Sequence, residues 1–375
     1  MTGWRLIVGA HVVAAAAIVA AAIVGVALIL NAGDPEPAPP RVLGPTPVPP
    51  PPTPGPTATP TPGPGLPTDL PEVVTGHVEV TTVTGIENPL ALGFDGENIW
   101  VASQSTDTVV KLSQDGTILA TYPVGLSPRT FAFDGEHMWV GHSMDGTVIK
   151  MTLDGEILKQ IPIGGAWTAP SALEYDGEFM WVATSWGNVV SRLDLDGNIL
   201  STTNIKGVHP SPFDLVFDGE NVWVVSLNLP NALLLGRDGE IVREVEVARF
   251  NAGYEGIGTG SGGQGPGALA FDGNVVWVAT NWTNALRAFR PDGTELGRFT
   301  VGEYPLDLAF DGVSLWVANF VGDNVMRVAL DGTLLATVPA GDGPNRLLAA
   351  NGAVWVVNER DDTVMKLVPT GRPKP

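Results

Sequence analysis

The stretch Phe94-Asp95-Gly96-Glu97-Asn98-Ile99-Trp100-Val101 carries the pattern that decides the fold: an aromatic residue, Asp-Gly, a short variable segment and Trp-Val. The pattern returns six more times, and its last copy, Asn351-Gly352 to Trp355, is degenerate. The repeated tryptophans are Trp100, Trp139, Trp181, Trp223, Trp277, Trp316 and Trp355. They lie 39 to 54 residues apart, a period typical of one four-stranded propeller blade per repeat. The sequence therefore predicts an all-β fold, a seven-bladed β-propeller.

Each repeat reads as four short strands. In the second repeat, apolar patterning predicts strands over 129–133, 138–141, 148–153 and 157–163. Asp134-Gly135 and Asp154-Gly155 are predicted to form the two hairpin turns. A proline precedes most first strands, as expected for a residue that lacks an N–H. Because the aromatic residue and the tryptophan recur with every blade, we interpret them as packing between neighbouring sheets.

The seventh repeat lacks a fourth strand at the C-terminus. The segment 77–85, His-Val-Glu-Val-Thr-Thr-Val-Thr-Gly, belongs to no blade and is similar to fourth strands such as 118–125. We therefore predict that this N-terminal strand completes the last blade and closes the ring, which removes an exposed sheet edge.

The 75 residues before the propeller differ sharply in composition. We predict a short cytoplasmic end at 1–5, a transmembrane anchor at 6–31 and a Pro/Thr/Gly-rich stalk at 32–75. The apolar stretch meets the length of roughly 20 residues that spans a bilayer. Arg5 precedes it and acidic residues follow it, so the positive-inside rule places the propeller (76–369) and the tail (370–375) outside the cytoplasm. Because the apolar region of a secretory signal peptide is usually shorter, roughly 7–15 residues, we predict an uncleaved anchor, with cleavage at 31–33 as the alternative.

Charge and cysteine content limit the classes of partner. The formal net charge is −20 and there is no cysteine among the 375 residues. This charge disfavours nucleic acid and anionic lipid surfaces, which reward basic proteins. Disulfides and thiolate metal sites are impossible. We expect a monomer that contacts the membrane through its N-terminal helix and takes an unknown small molecule, glycan or protein as its ligand.

Several stretches resemble known propeller families. Ile161-Pro162-Ile163-Gly164 and Leu315-Trp316-Val317-Ala318-Asn319 are similar to YVTN-type repeats. The Asp-Gly turns around the tryptophan strand also resemble NHL-type repeats and the virginiamycin B lyase, or streptogramin lyase, family. The resemblance covers 76–369 and implies a propeller. It does not fix a function, because these families range from a lyase to sensor and scaffold domains.

The lyase resemblance would imply a magnesium-assisted eliminating enzyme with histidine and glutamate in the loops of its later blades. Here the last histidine is His209, and the second strands of blades five to seven end in Thr280, Asn319 and Asn358. No Glu-x-His pair occurs there, so the catalytic set is not carried over. We predict no catalytic residues and no cofactor, with magnesium or calcium as the remaining alternative.

Strand direction divides the loops between two faces. Both hairpins of a blade lie on one face, and the second-to-third-strand loops and blade-to-blade links lie on the other, which is variable in sequence. Variable loops on a rigid scaffold are where binding usually occurs. The non-repeat tryptophans of the propeller and several other aromatic residues map to this variable face, where they are predicted either to bind a ligand or to plug the central channel. The fourth-to-fifth link is lengthened by 253–263 and is a candidate flap.

The predicted binding residues combine these aromatic side chains with polar residues at the channel mouth. They are Trp167, Trp186, Trp282, Phe320, Arg129, His142, Asp214, Asp307, Asn319, Arg346 and Asn358. We expect the two aspartates to form ion pairs with arginine, because two carboxylates fall short of the six to eight oxygens that calcium prefers. The sequence thus predicts a ligand- or protein-binding module, with a metal-assisted lyase and a purely structural assembly module as alternatives.

Overall fold

The computed structural model describes residues 77–207, 209–248 and 265–370. In these ranges the strands form seven four-stranded antiparallel sheets, one for each predicted blade. The all-β, seven-bladed propeller predicted from the repeat is therefore confirmed.

Three predicted features lie outside the described residues: the membrane anchor and its stalk (1–75), the inserted link (253–263) and all but the first residue of the tail (371–375). Within the part of the chain that the structure describes, no helix has the length and apolar character needed to span a bilayer.

The first three blades follow one another in chain order after β1 (Val78–Val83). Blade 1 contains β2 (Pro89–Phe94), β3 (Ile99–Ser103), β4 (Thr108–Leu112) and β5 (Ile118–Pro123). Blade 2 contains β6 (Pro128–Phe133), β7 (Met138–His142), β8 (Thr147–Met151) and β9 (Ile157–Pro162). Blade 3 contains β10 (Pro170–Tyr175), β11 (Met180–Thr184), β12 (Val189–Leu193) and β13 (Ile199–Asn204).

The remaining blades repeat this order. Blade 4 contains β14 (Pro212–Phe217), β15 (Val222–Ser226), β16 (Asn231–Leu235) and β17 (Ile241–Glu246). Blade 5 contains β18 (Pro266–Phe271), β19 (Val276–Thr280), β20 (Ala285–Phe289) and β21 (Glu295–Thr300), with a 3-10 turn at Asn281–Thr283. Blade 6 contains β22 (Pro305–Phe310), β23 (Leu315–Asn319), β24 (Asn324–Val328) and β25 (Leu334–Pro339), and blade 7 contains β26 (Pro344–Ala350), β27 (Ala353–Asn358) and β28 (Thr363–Pro369).

The ring is closed by the two ends of the propeller. Strand β1 pairs antiparallel with β28, from Val78 opposite Pro369 to Val83 opposite Val364. The last sheet has the order β1-β28-β27-β26, so the predicted closure is confirmed. The first strand of every blade contacts the first strands of its neighbours and lines the central channel, while the fourth strand lies outermost.

The repeated tryptophans form the core between blades. All seven are at most 1% exposed. Trp100, for example, packs with Phe131 and Ile149 of the following blade in one apolar cluster, and the other blades form equivalent clusters. The interpretation of these residues as packing is confirmed.

The aspartate of each Asp-Gly has a larger role than the turn alone. In blade 3, Asp176 Oδ2 accepts a hydrogen bond from Trp181 Nε1 at 2.9 Å, and Oδ1 accepts the backbone N–H groups of Glu178 and Phe179 at 2.9 and 2.7 Å. The first six blades share this arrangement, which we call the aspartate turn, through Asp95, Asp134, Asp176, Asp218, Asp272 and Asp311. The first hairpin consequently has a four-residue loop rather than the predicted tight turn.

Blade 7 explains the degenerate copy of the pattern. Ala350 pairs with Ala353, so its first hairpin has a two-residue loop made of Asn351 and Gly352. Both loop residues have positive φ, 47° and 81°, which a type I′ turn requires. The shorter loop takes the place of the aspartate turn.

Candidate functional site

The variable face consists of two sets of loops. The second-to-third-strand loops are 104–107, 143–146, 185–188, 227–230, 281–284, 320–323 and 359–362. The described parts of the links between blades are 84–88, 124–127, 163–169, 205–207 with 209–211, 247–248 with 265, 301–304 and 340–343. We call the opposite side, which carries both hairpins of each blade, the hairpin face.

Residues with a left-handed backbone conformation fix the links through side-chain hydrogen bonds. Asn284, with φ 49°, accepts the backbone N–H of Tyr304 through its side-chain oxygen at 3.0 Å. Asp323, with φ 47°, accepts that of Gly343 at the same distance. The same contact recurs at Asp107, Asn188 and Asp362. Asn and Asp tolerate this conformation better than other non-glycine residues, so these positions define loop geometry and not ligand chemistry.

The polar ring at the ends of the second strands is buried. Ser103, His142, Thr184, Ser226, Thr280, Asn319 and Asn358 are at most 2% exposed. They lie beneath the links: a Cβ on Gly302 would approach the Asn319 amide carbon to 2.5 Å. Three predicted binding residues, His142, Asn319 and Asn358, belong to this ring and cannot touch a ligand unless the links move.

Some atoms of the buried ring have no partner. His142 Nε2 accepts the N–H of Gly125 at 3.1 Å, whereas its Nδ1 is unpaired. Burial lowers the pKa of His142, against the opposing effect of Asp145. The amide nitrogens of Asn319 and Asn358 donate to Asn324 and Thr363, and both Oδ1 atoms are left without a hydrogen bond.

The two channel aspartates bond neighbouring blades together. Asp214 Oδ2 accepts the N–H of Leu269 in blade 5 at 2.7 Å, and Asp307 Oδ2 accepts that of Leu347 in blade 7 at 2.6 Å. Burial raises the pKa of both carboxyls, that of Asp214 to about 7 with a further contribution from Asp307. Their oxygens thus accept backbone N–H groups. The described contacts contain none of the expected direct ion pairs with arginine, but the positive charge of Arg346 lowers the pKa of both carboxyls against the effect of burial.

A third carboxyl on a channel-lining strand also accepts a backbone N–H of the next blade. Glu174 Oε1 accepts the N–H of Phe217 in blade 4 at 3.0 Å, and burial raises its pKa to about 8. Sequence reasoning missed Glu174. Its only signal was a charged residue on an otherwise apolar first strand.

Arg129 and Arg346 meet at one aromatic ring. Their guanidinium carbons lie 6.0 and 5.1 Å from the centre of the Phe213 ring. The three residues come from the first strands of blades 2, 7 and 4, so their side chains converge in the central channel. Phe213 is 7% exposed. It is one of the other aromatic residues that the sequence places on the variable face, for which plugging of the channel is one of the two predicted roles.

Three aromatic side chains form a continuous surface across blades 5 and 6. Trp282 and Tyr304 have ring centres 6.1 Å apart in an edge-to-face arrangement, and Tyr304 and Phe320 are 6.3 Å apart. The Arg360 guanidinium carbon lies 4.3 Å from the centre of the Phe320 ring. We call Trp282, Tyr304, Phe320 and Arg360 the aromatic surface.

The other two predicted tryptophans lie on a separate part of the face. Trp167 and Trp186, in blades 2 and 3, are 59% and 73% exposed. The Trp167 N–H donates to Met144 O and the Trp186 N–H donates to Thr168 O, which holds both backbones at the link. The structure therefore divides the predicted site into two aromatic regions with the arginine pair in the channel.

The residues do not fit a resident metal. In the described ranges, no three His, Cys, Asp or Glu side chains are grouped so that they could hold an ion. Asp214 and Asp307, the carboxylates considered from sequence, each accept a backbone N–H of the next blade. We therefore derive no chemistry through magnesium or calcium.

Comparison with solved structures agrees with this architecture. Virginiamycin B lyase from Staphylococcus aureus superimposes with a TM-score of 0.64 at 17% identity, over 78% of this chain and 99% of the lyase. A catalytically inactive variant of that lyase with quinupristin gives a TM-score of 0.66 at 17% identity over the same shares. A streptogramin B lyase structure gives 0.67 at 13% identity, over 78% of this chain and 98% of the other.

The chain has the fold of a streptogramin lyase. At these identities the likeness shows the fold alone. No protein-family model matches the chain, so the YVTN and NHL resemblances stay predictions. No curated protein matches it.

The channel carboxyls predict a pH-dependent stability. A carboxyl whose pKa is higher in the folded than in the unfolded state binds its proton more tightly when folded, so its ionisation opposes folding. For Glu174 the stabilisation present below its ordinary pKa is lost as the pH rises through about 8. We expect Glu174→Gln, which keeps an oxygen for the Phe217 N–H, to reduce the loss between about pH 5 and 9 by about 2 kcal/mol, because partial solvent contact screens the full shift.

Denaturant unfolding of both proteins at several pH values measures this difference. Glu156→Gln, at an exposed position in the second hairpin of blade 2, is the matched control and should follow the unsubstituted protein. Parallel pH profiles for all three proteins would contradict the assignment.

Proposed function

We propose that this protein is a membrane-anchored, extracytoplasmic binding module that holds a small molecule, glycan or protein on its variable face. The aromatic surface is the observation that carries the proposal. Its rings form one contiguous area across two blades, and Arg360 lies at one end. Aromatic faces combined with directed polar groups suit sugar rings, peptides and aromatic small molecules.

The distribution of exposed apolar residues supports this choice of face. Apart from Val80 on β1 and residues of the fourth strands, the exposed large apolar side chains are Leu126, Met144, Trp167, Trp186, Trp282 and Val321. All six belong to links or second-to-third-strand loops. The hairpin face offers no comparable group among the described residues. Clustered exposed apolar side chains mark interaction sites more often than scattered ones.

The N-terminal sequence supplies the location in this proposal. An apolar segment at 6–31 would cross the membrane once, and the stalk at 32–75 would act as a spacer of roughly 3.1 Å per residue where it is extended. With a net charge of −20, the propeller would remain monomeric and repel anionic membrane surfaces and nucleic acid.

A thermal melt of the full-length protein in detergent tests the binding function. The panel contains neutral sugars, cell-wall fragments, peptides and streptogramins, each with and without magnesium. A ligand at 100 times its dissociation constant should add about 2.7 kcal/mol. We expect at least one saturable shift, and we expect Trp282→Ala with Phe320→Ala to weaken it at least tenfold.

The control replaces apolar residues that are equally exposed but lie on an outermost strand. Ile118 and Leu119, on β5, are 44% and 53% exposed, and their alanine variants should bind normally. Equal losses in both double variants, or no saturable shift with any member of the panel, would overturn the proposal in favour of a structural assembly module. Turnover of a streptogramin would revive the lyase alternative.

A further inference from the structure

Two arginines break the repeat of the channel-lining strands. At the second position the seven first strands carry Leu90, Arg129, Ser171, Phe213, Gly267, Leu306 and Asn345, and at the third position Ala91, Thr130, Ala172, Asp214, Ala268, Asp307 and Arg346. Residues that recur with the blade serve the fold, as the tryptophans do. No other first strand carries a cation at either position, so the fold does not require one there.

The two guanidinium groups come together in the channel. Both contact the Phe213 ring, at 6.0 and 5.1 Å from its centre. Strands β6 and β26 begin at the variable face, so Arg129 and Arg346, near their first residues, lie at the variable-face end of the channel. The contact with a shared ring fixes both cations near the axis.

Neither guanidinium has its hydrogen bonds satisfied. Arg129 makes no hydrogen bond or ion pair with any residue in the described ranges, and Arg346 donates once, to the Asn345 carbonyl oxygen at 3.4 Å. A guanidinium offers five N–H donors. The carboxylates nearby are engaged elsewhere: Asp214 and Asp307 accept backbone N–H groups of the next blade, and Glu359 accepts the Asn345 amide at 2.6 Å.

Two half-buried cations whose N–H donors mostly lack protein partners favour an anion between them. Burial and the positive charge of Arg346 together lower the pKa of Arg129 to about 10, against the opposing effect of Glu359. The carboxylates of Glu359, Asp214 and Asp307 act on these two charges, but none of them forms an ion pair with either guanidinium among the described contacts. A planar oxyanion matches the guanidinium fork and forms the stronger, charge-assisted kind of hydrogen bond.

We propose that the channel mouth binds a carboxylate group of a ligand between Arg129 and Arg346, against the Phe213 ring. The inference rests on the proposed binding function and adds an anionic group to its ligand. The carboxylate enters from the variable face, where the rest of the ligand meets the aromatic surface.

Matched acid and neutral probes test the proposal on the full-length protein. Glucuronate is compared with glucose, and N-acetylalanine with its amide, in thermal melts at constant ionic strength. We expect saturable shifts of at least 2 °C with one or both acids and none with the neutral partners. The acid that binds more tightly shows whether the carboxylate belongs to a sugar or to a peptide end.

Substitutions then locate the site. Arg129→Gln with Arg346→Gln should weaken acid binding at least tenfold, whereas Arg290→Gln with Arg298→Gln, two exposed blade 5 arginines, removes the same charge and should leave it unchanged. Arg129→Lys, which keeps the charge and loses the fork, should weaken binding by a smaller factor. It provides the comparison if the double variant does not fold.

Equal binding of acid and neutral probes, unchanged binding in the channel variants, or no saturable shift with either acid would overturn the inference. The proposed binding function is tested independently of the carboxylate site. If neutral panel ligands still require Trp282 and Phe320 while the channel variants behave as the unsubstituted protein, the binding face stands and the carboxylate site does not.

Discussion

Deletion of residues 76–85 is expected to abolish cooperative folding of the propeller or to leave it barely stable. The deletion removes β1, so β28 loses one of its two hydrogen-bonded partner strands and becomes an edge strand. Val78 and Val83, which are 8% and 7% exposed and belong to separate core clusters, are lost with it. A typical domain has only about 5–15 kcal/mol of stability, and an open ring also exposes an edge strand.

A pair of point variants separates closure from simple shortening of the chain. Val83→Asp places a charge in the core and should cost more than about 4 kcal/mol. Val80→Asp lies on the same strand at a position that is 47% exposed and should cost little. Denaturant unfolding of the three proteins measures the effect. Equal stabilities for Val83→Asp and Val80→Asp, or an unchanged melting temperature on deletion, would contradict the conclusion that β1 closes the ring.

The second large effect is expected at an aspartate turn. Asp176→Ala removes the acceptor for Trp181 Nε1 and for two backbone N–H groups at once. Asp176 is 4% exposed, so the donors left behind are mostly shielded from water. With about 1–3 kcal/mol for each buried unsatisfied group, we expect a loss of about 3–4 kcal/mol.

Asp176→Asn distinguishes the hydrogen bonds from the shape of the side chain. In either orientation the new amide places its NH2 group against a donor, the Trp181 N–H or the two backbone N–H groups, so this variant should lose most of the same stability. Asp115→Ala, in the exposed second hairpin of blade 1, is the matched control and should change stability far less. An Asp176→Asn protein as stable as the unsubstituted one would show that the Trp181 bond contributes nothing.

The propeller could be read from the sequence because its determinants are periodic. The spacing from Trp100 to Trp139 repeats along the chain, and prolines such as Pro170 mark first strands. What the period could not reveal was which atoms the repeated turn residues contact. The Asp-Gly pair predicted a tight turn, but the side chain of Asp95 bonds Trp100 and two backbone N–H groups and so enlarges the loop.

The site was harder to predict because sequence position gives the face of a residue but not its depth. Asn319 maps to the variable face and yet lies fully buried under a link. The convergence of Phe213 with Arg346 depends on side chains from blades 4 and 7 crossing the channel, which no local pattern contains. By contrast, Trp282 is predicted to lie in an exposed loop and is 54% exposed. Its loop is short, so its position in the sequence indicates both its face and its exposure.

Oxidative footprinting of the full-length protein, read residue by residue with mass spectrometry, tests the central claim most directly. The protein is labelled with and without the pooled ligand panel. The account predicts protection of Trp282, Tyr304 and Phe320, while Leu119 and Leu158 on the outermost strands are labelled equally in both samples. Protection confined to the outermost strands or the hairpin face, or no protection anywhere, would contradict the assignment of the variable face as the binding surface.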